Sequence, residues 1–145
     1  MERHSTYDDV NLILRLYELR REAKLRHARE WFAKSFKATT MDQFQELCPL
    51  GSDTNAYFRM VVSYWEMVAS FITGGVLNQE LYFQSGGELL FTFEKARDLL
   101  PHLRQAYQSP FYLKNLETVA EDMAKWMEKR APGSYAALQS RVLGI

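Results

Sequence analysis

The stretch Ala56–Leu77, AYFRMVVSYWEMVASFITGGVL, constrains this chain most, because it is apolar on nearly every side yet carries one interior carboxylate, Glu66. A helix that is hydrophobic all round is either buried by other helices or set in a membrane. Met60–Leu77 comes close to the roughly 20 residues a bilayer span needs. Against a span stand Glu66, which costs about 2.5–3.5 kcal/mol near the bilayer centre, and the lack of a Lys/Arg cluster after the run to fix an orientation. The segment is therefore expected at the middle of a protein core, with no membrane span.

The rest of the chain supplies partners for it. With 145 residues, a single domain over residues 1–145 buries enough surface for a full core without staples. Lys plus Arg number 18 and Asp plus Glu number 18, so no global field steers the protein toward nucleic acid or anionic lipid. One cysteine, Cys48, excludes an intramolecular disulfide and every multi-cysteine zinc pattern. That usage, and an N-terminal MERHSTYDDV without the apolar core of a signal peptide, point to the cytoplasm.

The periodicity is helical throughout. A first helix is expected from a Ser5 or Thr6 cap, with Asp8 and Asp9 in its first turn, to about Phe36; Val10, Leu14, Tyr17, Leu25, Ala28 and Phe32 form its core stripe. Thr40 to Gln43 reads as a capping box for a short helix through Leu47, stopped by Pro49 and Gly51. Ser52 or Asp53 opens the central helix, along which Arg59, Ser63, Glu66, Ser70 and Thr73 share one narrow polar line before Gly74 and Gly75 end it. Asn78 caps a short helix over Gln79–Ser85. The helix from Glu88 to about Gln108 is expected to bend or split near Leu100, because Pro101 cannot donate to the Arg97 carbonyl. A helix from Tyr112 through Met127 and a short one over Tyr135–Val142 complete an all-α fold. It is a single compact helical bundle of about five to seven helices around the central apolar helix.

No catalytic or cofactor signature stands out. The histidines His4, His27 and His102 lie on separate segments, and His27 with Glu30 is one pair where a metal wants about four ligands, so no metal and no cofactor are expected. Cys48 precedes Pro49 at a helix end and reads as a small core residue. Between Arg15 and Lys37 the basic residues outnumber the acidic ones, but Glu22 with Arg26 and Glu30 with Lys34 have the spacing of a helix surface held by its own charges, so nucleic acid is not the expected partner. The interior carboxylates Glu66 and Glu94 can sit opposite Arg97 or Arg104. Such a cluster is either a register-fixing ion pair or a ligand site, which makes Glu66, Arg97 and Arg104 the candidate binding residues.

Two resemblances follow from particular residues. Gln79–Gly86, QELYFQSG, closely resembles the recognition site of the potyviral nuclear-inclusion protease, with Gln79 in place of the usual glutamate; between two patterned helices, Leu81, Tyr82 and Phe83 read instead as core. Trp65 and Glu66 in the apolar helix, the Gly-Val-Leu-Asn turn at Gly75–Asn78 followed by Leu81 and Tyr82, then Phe93, Glu94, Pro101 and Arg104, make the chain similar to a family of functionally uncharacterised bacterial proteins with an all-helical domain. The likeness covers about a third of the chain and implies a fold but no activity. Members often carry a membrane-spanning helix ahead of the domain, a feature not expected here. The 14% aromatic content, with Trp31, Phe32, Phe36 and Phe111 near helix ends, exceeds what one small bundle easily hides. The expected function is a non-enzymatic protein-interaction or regulatory module, homo-oligomeric and most simply a dimer. The alternative is a small-molecule-binding protein or enzyme with its pocket near Glu66 and the Pro101 kink.

Overall fold

The computed structural model describes residues 3–144. Among these the chain is entirely helical, with α1 (Tyr7–Arg20), α2 (Ala23–Ser35), α3 (Met41–Leu47), α4 (Asp53–Thr73), α5 (Gln79–Phe83), α6 (Glu88–Ala96), α7 (Leu100–Ala106), α8 (Lys114–Arg130) and α9 (Ser134–Leu143). The central helix is α4. It packs against α2 on one side and α8 on another, while α6 bridges α8 and α9. No helix is long and apolar enough to cross a membrane, among the described residues.

Three of the expected caps form. Thr40, Ser52 and Asn78 each accept a backbone N–H from the residue three positions on, Gln43, Asn55 and Leu81, at 3.2, 3.1 and 2.8 Å. Each satisfies a donor that the first turn of a helix leaves orphaned. Around α4 the core is dense with aromatic rings: Phe58 stacks on Phe36 at 5.1 Å and meets the edge of Phe44 at 5.0 Å, and Phe32 stacks on Phe36 at 4.9 Å. Phe32 and Phe36 are thus core residues and Trp31 is half-buried against them, so of these four aromatics Phe111 alone remains in solvent, 76% exposed.

Among the described residues the helices number nine, more than the expected five to seven, because two long periodic segments break. Pro101 sits in the first turn of α7, where a missing N–H is tolerated, and the chain leaves helix between Ala96 and Leu100 as its spacing predicts. The other break, at Arg21–Glu22, lies within what reads as one continuous helix. There the Glu22 carboxylate turns back to accept Lys24 N and Leu25 N at 3.1 and 3.0 Å and caps α2. Glu22 is therefore occupied by backbone, not by Arg26. Arg29 secures the corner: it donates to the Arg20 carbonyl at 2.9 Å and forks onto Glu88 with two 2.6 Å bonds.

The corner changes what α1 presents to solvent. Leu25, Ala28 and Phe32 of α2 are in the core as expected, but Val10, Leu14 and Tyr17 are not. Once α1 is freed from the axis of α2 it turns Leu16 and Asp9 inward, with Leu12 and Ile13 half-buried, and leaves its outer stripe in water. Tyr7, Val10, Leu14 and Tyr17 are 77, 40, 55 and 46% exposed.

Asp9 pins that orientation. Its carboxylate accepts two 2.7 Å bonds from Arg3, one from Thr6 N at 2.7 Å and one from Asn78 N at 2.9 Å. Arg3 also donates to the Val76 carbonyl at 2.6 Å, tying α1 to the turn after α4. The Arg3 guanidinium, with the Thr6 and Asn78 amides, holds the Asp9 carboxyl far below the usual carboxylate range. The α5 segment is helical, with Tyr82 and Phe83 buried and Leu81 half-buried, while Gln84, Ser85 and Gly86 of the protease-like sequence are exposed.

Candidate functional site

The polar line of α4 does not meet a basic helix; it runs along the floor of an open groove. The facing wall is the segment between α7 and α8, which contributes Tyr107, Phe111 and Tyr112. From Ala56 to Ser70 the trough follows α4 for about 21 Å at 1.5 Å per residue, and it encloses about 990 Å³. Met60 and Met67, one heptad apart, form its apolar floor beside Ser63. Ser63 and Ser70 spend their hydroxyls on the Met60 and Met67 carbonyls, three residues back, so neither offers a free donor to the groove.

Glu66 is a helix cap acting across the bundle. One carboxylate oxygen accepts Leu116 N at 2.8 Å and the other accepts Asn115 Nδ2 at 2.8 Å, while Thr73 donates to the Asn115 side chain at 2.7 Å. The need for this is local. Position Leu113, which precedes α8, carries no side-chain acceptor and lies in the left-handed region at φ 56°, so the orphan amides of the first turn have no cap of their own. A carboxylate from α4 supplies it, with the favourable charge for a helix N-terminus.

The expected meeting of Glu66 with Arg97 or Arg104 does not occur. Arg97 forks onto Glu94 at 3.2 and 2.7 Å and donates to the Tyr135 hydroxyl at 3.0 Å, and that hydroxyl also donates to Glu94. This clasp joins α6 to α9. Burial alone would raise the Glu94 carboxyl, but the Arg97 and Tyr135 hydrogen bonds outweigh it and hold it below its ordinary value. Glu94 does meet Arg97, but as an i,i+3 pair at the end of α6 and away from Glu66. Arg104 donates to the Tyr112 carbonyl at 2.8 Å and to Glu117 at 3.3 Å, bracing the groove wall from behind. Neither arginine lines the groove, and nor does Pro101.

The wall is preformed. Gln108 and Leu113, both non-glycine, adopt left-handed φ of 51° and 56° at its two ends. Such residues cost of order 1–3 kcal/mol each and persist only where surroundings over-determine them. Here the surroundings are the Arg104 bond, the burial of Leu113 and an edge-on contact of Tyr107 with Tyr112 at 5.2 Å. Burial pushes the Tyr112 hydroxyl up to about 12, so it stays neutral. At the groove's edge Arg59 donates Nε to Asn55 Oδ1 at 3.0 Å and forms no ion pair among the described residues. The groove lining thus carries one cation, Arg59, and one carboxylate, Glu66, the latter bonded to the start of α8.

The remaining reactive groups are placed conservatively. Cys48 is buried, and burial raises its thiol to about 11, far from a thiolate at neutral pH. His27 rests edge-on against Tyr57 at 5.1 Å. No group of three or more His, Cys, Asp or Glu side chains converges, among the described residues.

Comparison with known proteins shows a family and no activity. No curated protein and no solved structure matches the chain. The family described as "Domain of unknown function (DUF4760)" matches residues 5–126, well over half of the chain, and the chain belongs to that family.

Proposed function

We propose that this domain is a non-enzymatic protein-interaction module that self-associates as a dimer through the outer face of α1. The observation that carries the reading is the stripe Tyr7, Val10, Leu14 and Tyr17, which is exposed although its spacing is that of a buried seam. The stripe is self-complementary. In an antiparallel two-fold pairing centred near Leu12, Tyr7 faces Tyr17 of the second copy, Val10 faces Leu14, and the neutral Asn11 pairs with itself beside the axis, so no like charges meet there. A whole tyrosine offers about 200 Å², so Tyr7 and Tyr17, 77 and 46% exposed, bring on the order of 250 Å² per copy before the aliphatic residues are added. A standard interface buries about 800 Å² per partner. The area supports a micromolar, concentration-dependent dimer and not an obligate one. A single buried cysteine supports a reducing, cytoplasmic setting.

Light scattering coupled to size exclusion across a dilution series tests this. The parent chain moves from dimer toward monomer on dilution, and Leu14→Asp is monomeric throughout with unchanged helical content. A parent mass that stays monomeric at high concentration, or a dimer indifferent to Leu14→Asp, overturns the reading.

A further inference from the structure

We infer that the small cavity beneath α1, bounded by Arg20, Trp65 and Tyr82, is a hydration site whose water accepts the Trp65 N–H. Trp65 is 1% exposed, and its Nε1 is the one buried side-chain nitrogen or oxygen without a hydrogen-bond partner, among the described residues. An unpaired buried donor carries the full cost of its desolvation, which native interiors almost always avoid through a protein group or an ordered water. Trp126, by contrast, spends its Nε1 on Glu80 at 2.7 Å. Trp65 has no such acceptor but lines a cavity of about 40 Å³. One water needs about 10–15 Å³ of such space and two to four polar partners. The volume therefore admits water and excludes a ligand of metabolite size.

The lining fixes the chemistry of the guest. An indole N–H donates and does not accept, so the guest presents a lone pair. Arg20 and Glu88, the charged groups of the lining, face each other at 3.6 Å, so neither sign of charge is favoured and the guest is neutral. The aromatic faces that a cation would seek are also taken, because the Arg20 guanidinium stands 4.9 Å from the centre of the Tyr17 ring and 5.9 Å from that of Trp65. The further partners that a water requires are present. Tyr82 is 7% exposed, and its hydroxyl, kept neutral by burial, makes no hydrogen bond among the described residues. The separation of Arg20 from Glu88 is beyond hydrogen-bond length, which leaves Arg20 donors over. A water that accepts from Trp65 and Arg20 keeps its own protons for the Tyr82 oxygen and the Glu88 carboxylate.

Arg20 comes from α1, Trp65 from α4 and Tyr82 from α5, so the water joins the inner side of α1 to the core. It adds to the direct bond there, in which the Tyr64 hydroxyl donates to the Leu16 carbonyl at 2.5 Å. The site lies within one copy and stands or falls independently of dimerisation.

Crystal structures of the full chain and of Trp65→Phe, both at a resolution that shows ordered water, test this. The parent should hold a water within about 3 Å of Trp65 Nε1. Trp65→Phe, which keeps an aromatic ring and deletes the donor, should lose the water from that position; the parent structure decides by itself if the variant fails to fold. A dry cavity with the N–H directed at the Tyr64 ring, whose centroid lies 4.9 Å from that of Trp65, would overturn the proposal. So would a protein oxygen bonded to Nε1, a buffer or cryoprotectant molecule in the site, or a water that keeps its place in Trp65→Phe.

Discussion

The helices α1 and α4 are both apolar on more than one side, and they differ in what covers them. Around α4 the neighbours α2, α6 and α8 bury Phe58, Val61, Trp65, Val68 and Ala69 almost completely. Around α1 only the inner side, at Asp9 and Leu16, is covered. Hydrophobic spacing therefore reports that a face needs burial, and the corner at Arg21–Glu22 decides whether that burial happens within one chain. The lesson is that a two-residue break redirects a whole stripe.

The sharpest way to break this comparison is a pair of leucines two positions apart. Leu16→Ala, in the core at 3% exposure, should cost about 2–5 kcal/mol. Leu14→Ala, measured in the monomer by urea unfolding, should fall within about 0.5 kcal/mol of the parent. Equal costs would mean that α1 packs by its other face. Next in size, Glu66→Ala should destabilise by about 1–2 kcal/mol through the lost cap of α8, and Glu66→Gln, which keeps an acceptor for Leu116 N, by less. Hydrogen exchange would show the loss as faster exchange at Leu116 in the first turn of α8; a global effect with that turn still protected would contradict the cap.

Acid provides a third test. Asp9, Glu94 and Glu117 all have carboxyls held below their ordinary values by arginine or lysine and hydrogen-bonding partners. A lowered folded-state value means stability that is fully present above the unfolded-state range near pH 4 and is lost as pH falls from there through the lower folded-state values. The melting temperature should hold from pH 7 to 5 and fall steadily from about pH 4 to 2, and Asp9→Asn should flatten part of that fall. A melting temperature unchanged down to pH 3 would refute these ion pairs. The smallest expected effect is none at all: the potyviral protease should leave native protein intact, because Tyr82 and Phe83 are buried in α5, and should cut within Gln79–Gly86 only in urea. Cutting under native conditions would show α5 opening independently of α4.

Much of this architecture is legible from short-range chemistry. The caps at Thr40, Ser52 and Asn78, the stop at Gly74 and the split at Pro101 depend on residues within a few positions of each other. The corner at Arg21–Glu22 was not legible in this way, since Glu22 lies at ion-pair spacing from Arg26 and its alternative role as a cap carries no distinguishing pattern. The candidate site divides along the same line. Glu66 and the polar line of α4 stand out in the sequence, but the partners of Glu66, Asn115 and Leu116, lie about fifty residues away, and no local pattern links them to it. Ser109 before Pro110 reads as a cap of its own, and only with α8 seen to begin at Lys114, after Leu113, does the need for a cap from elsewhere appear. That Arg59 forms no ion pair among the described residues likewise emerges only from the structure.

The most direct test of the central claim, that the outer stripe of α1 is an intermolecular surface and not a displaced core, is sedimentation velocity of Leu14→Asp beside the parent at matched concentrations, with urea unfolding of both. A parent that sediments as a concentration-dependent dimer, a variant that sediments as a monomer, and equal unfolding of the two monomers would bear the account out. A variant that unfolds several kcal/mol more easily while the parent remains monomeric would contradict it, by returning Leu14 to the core.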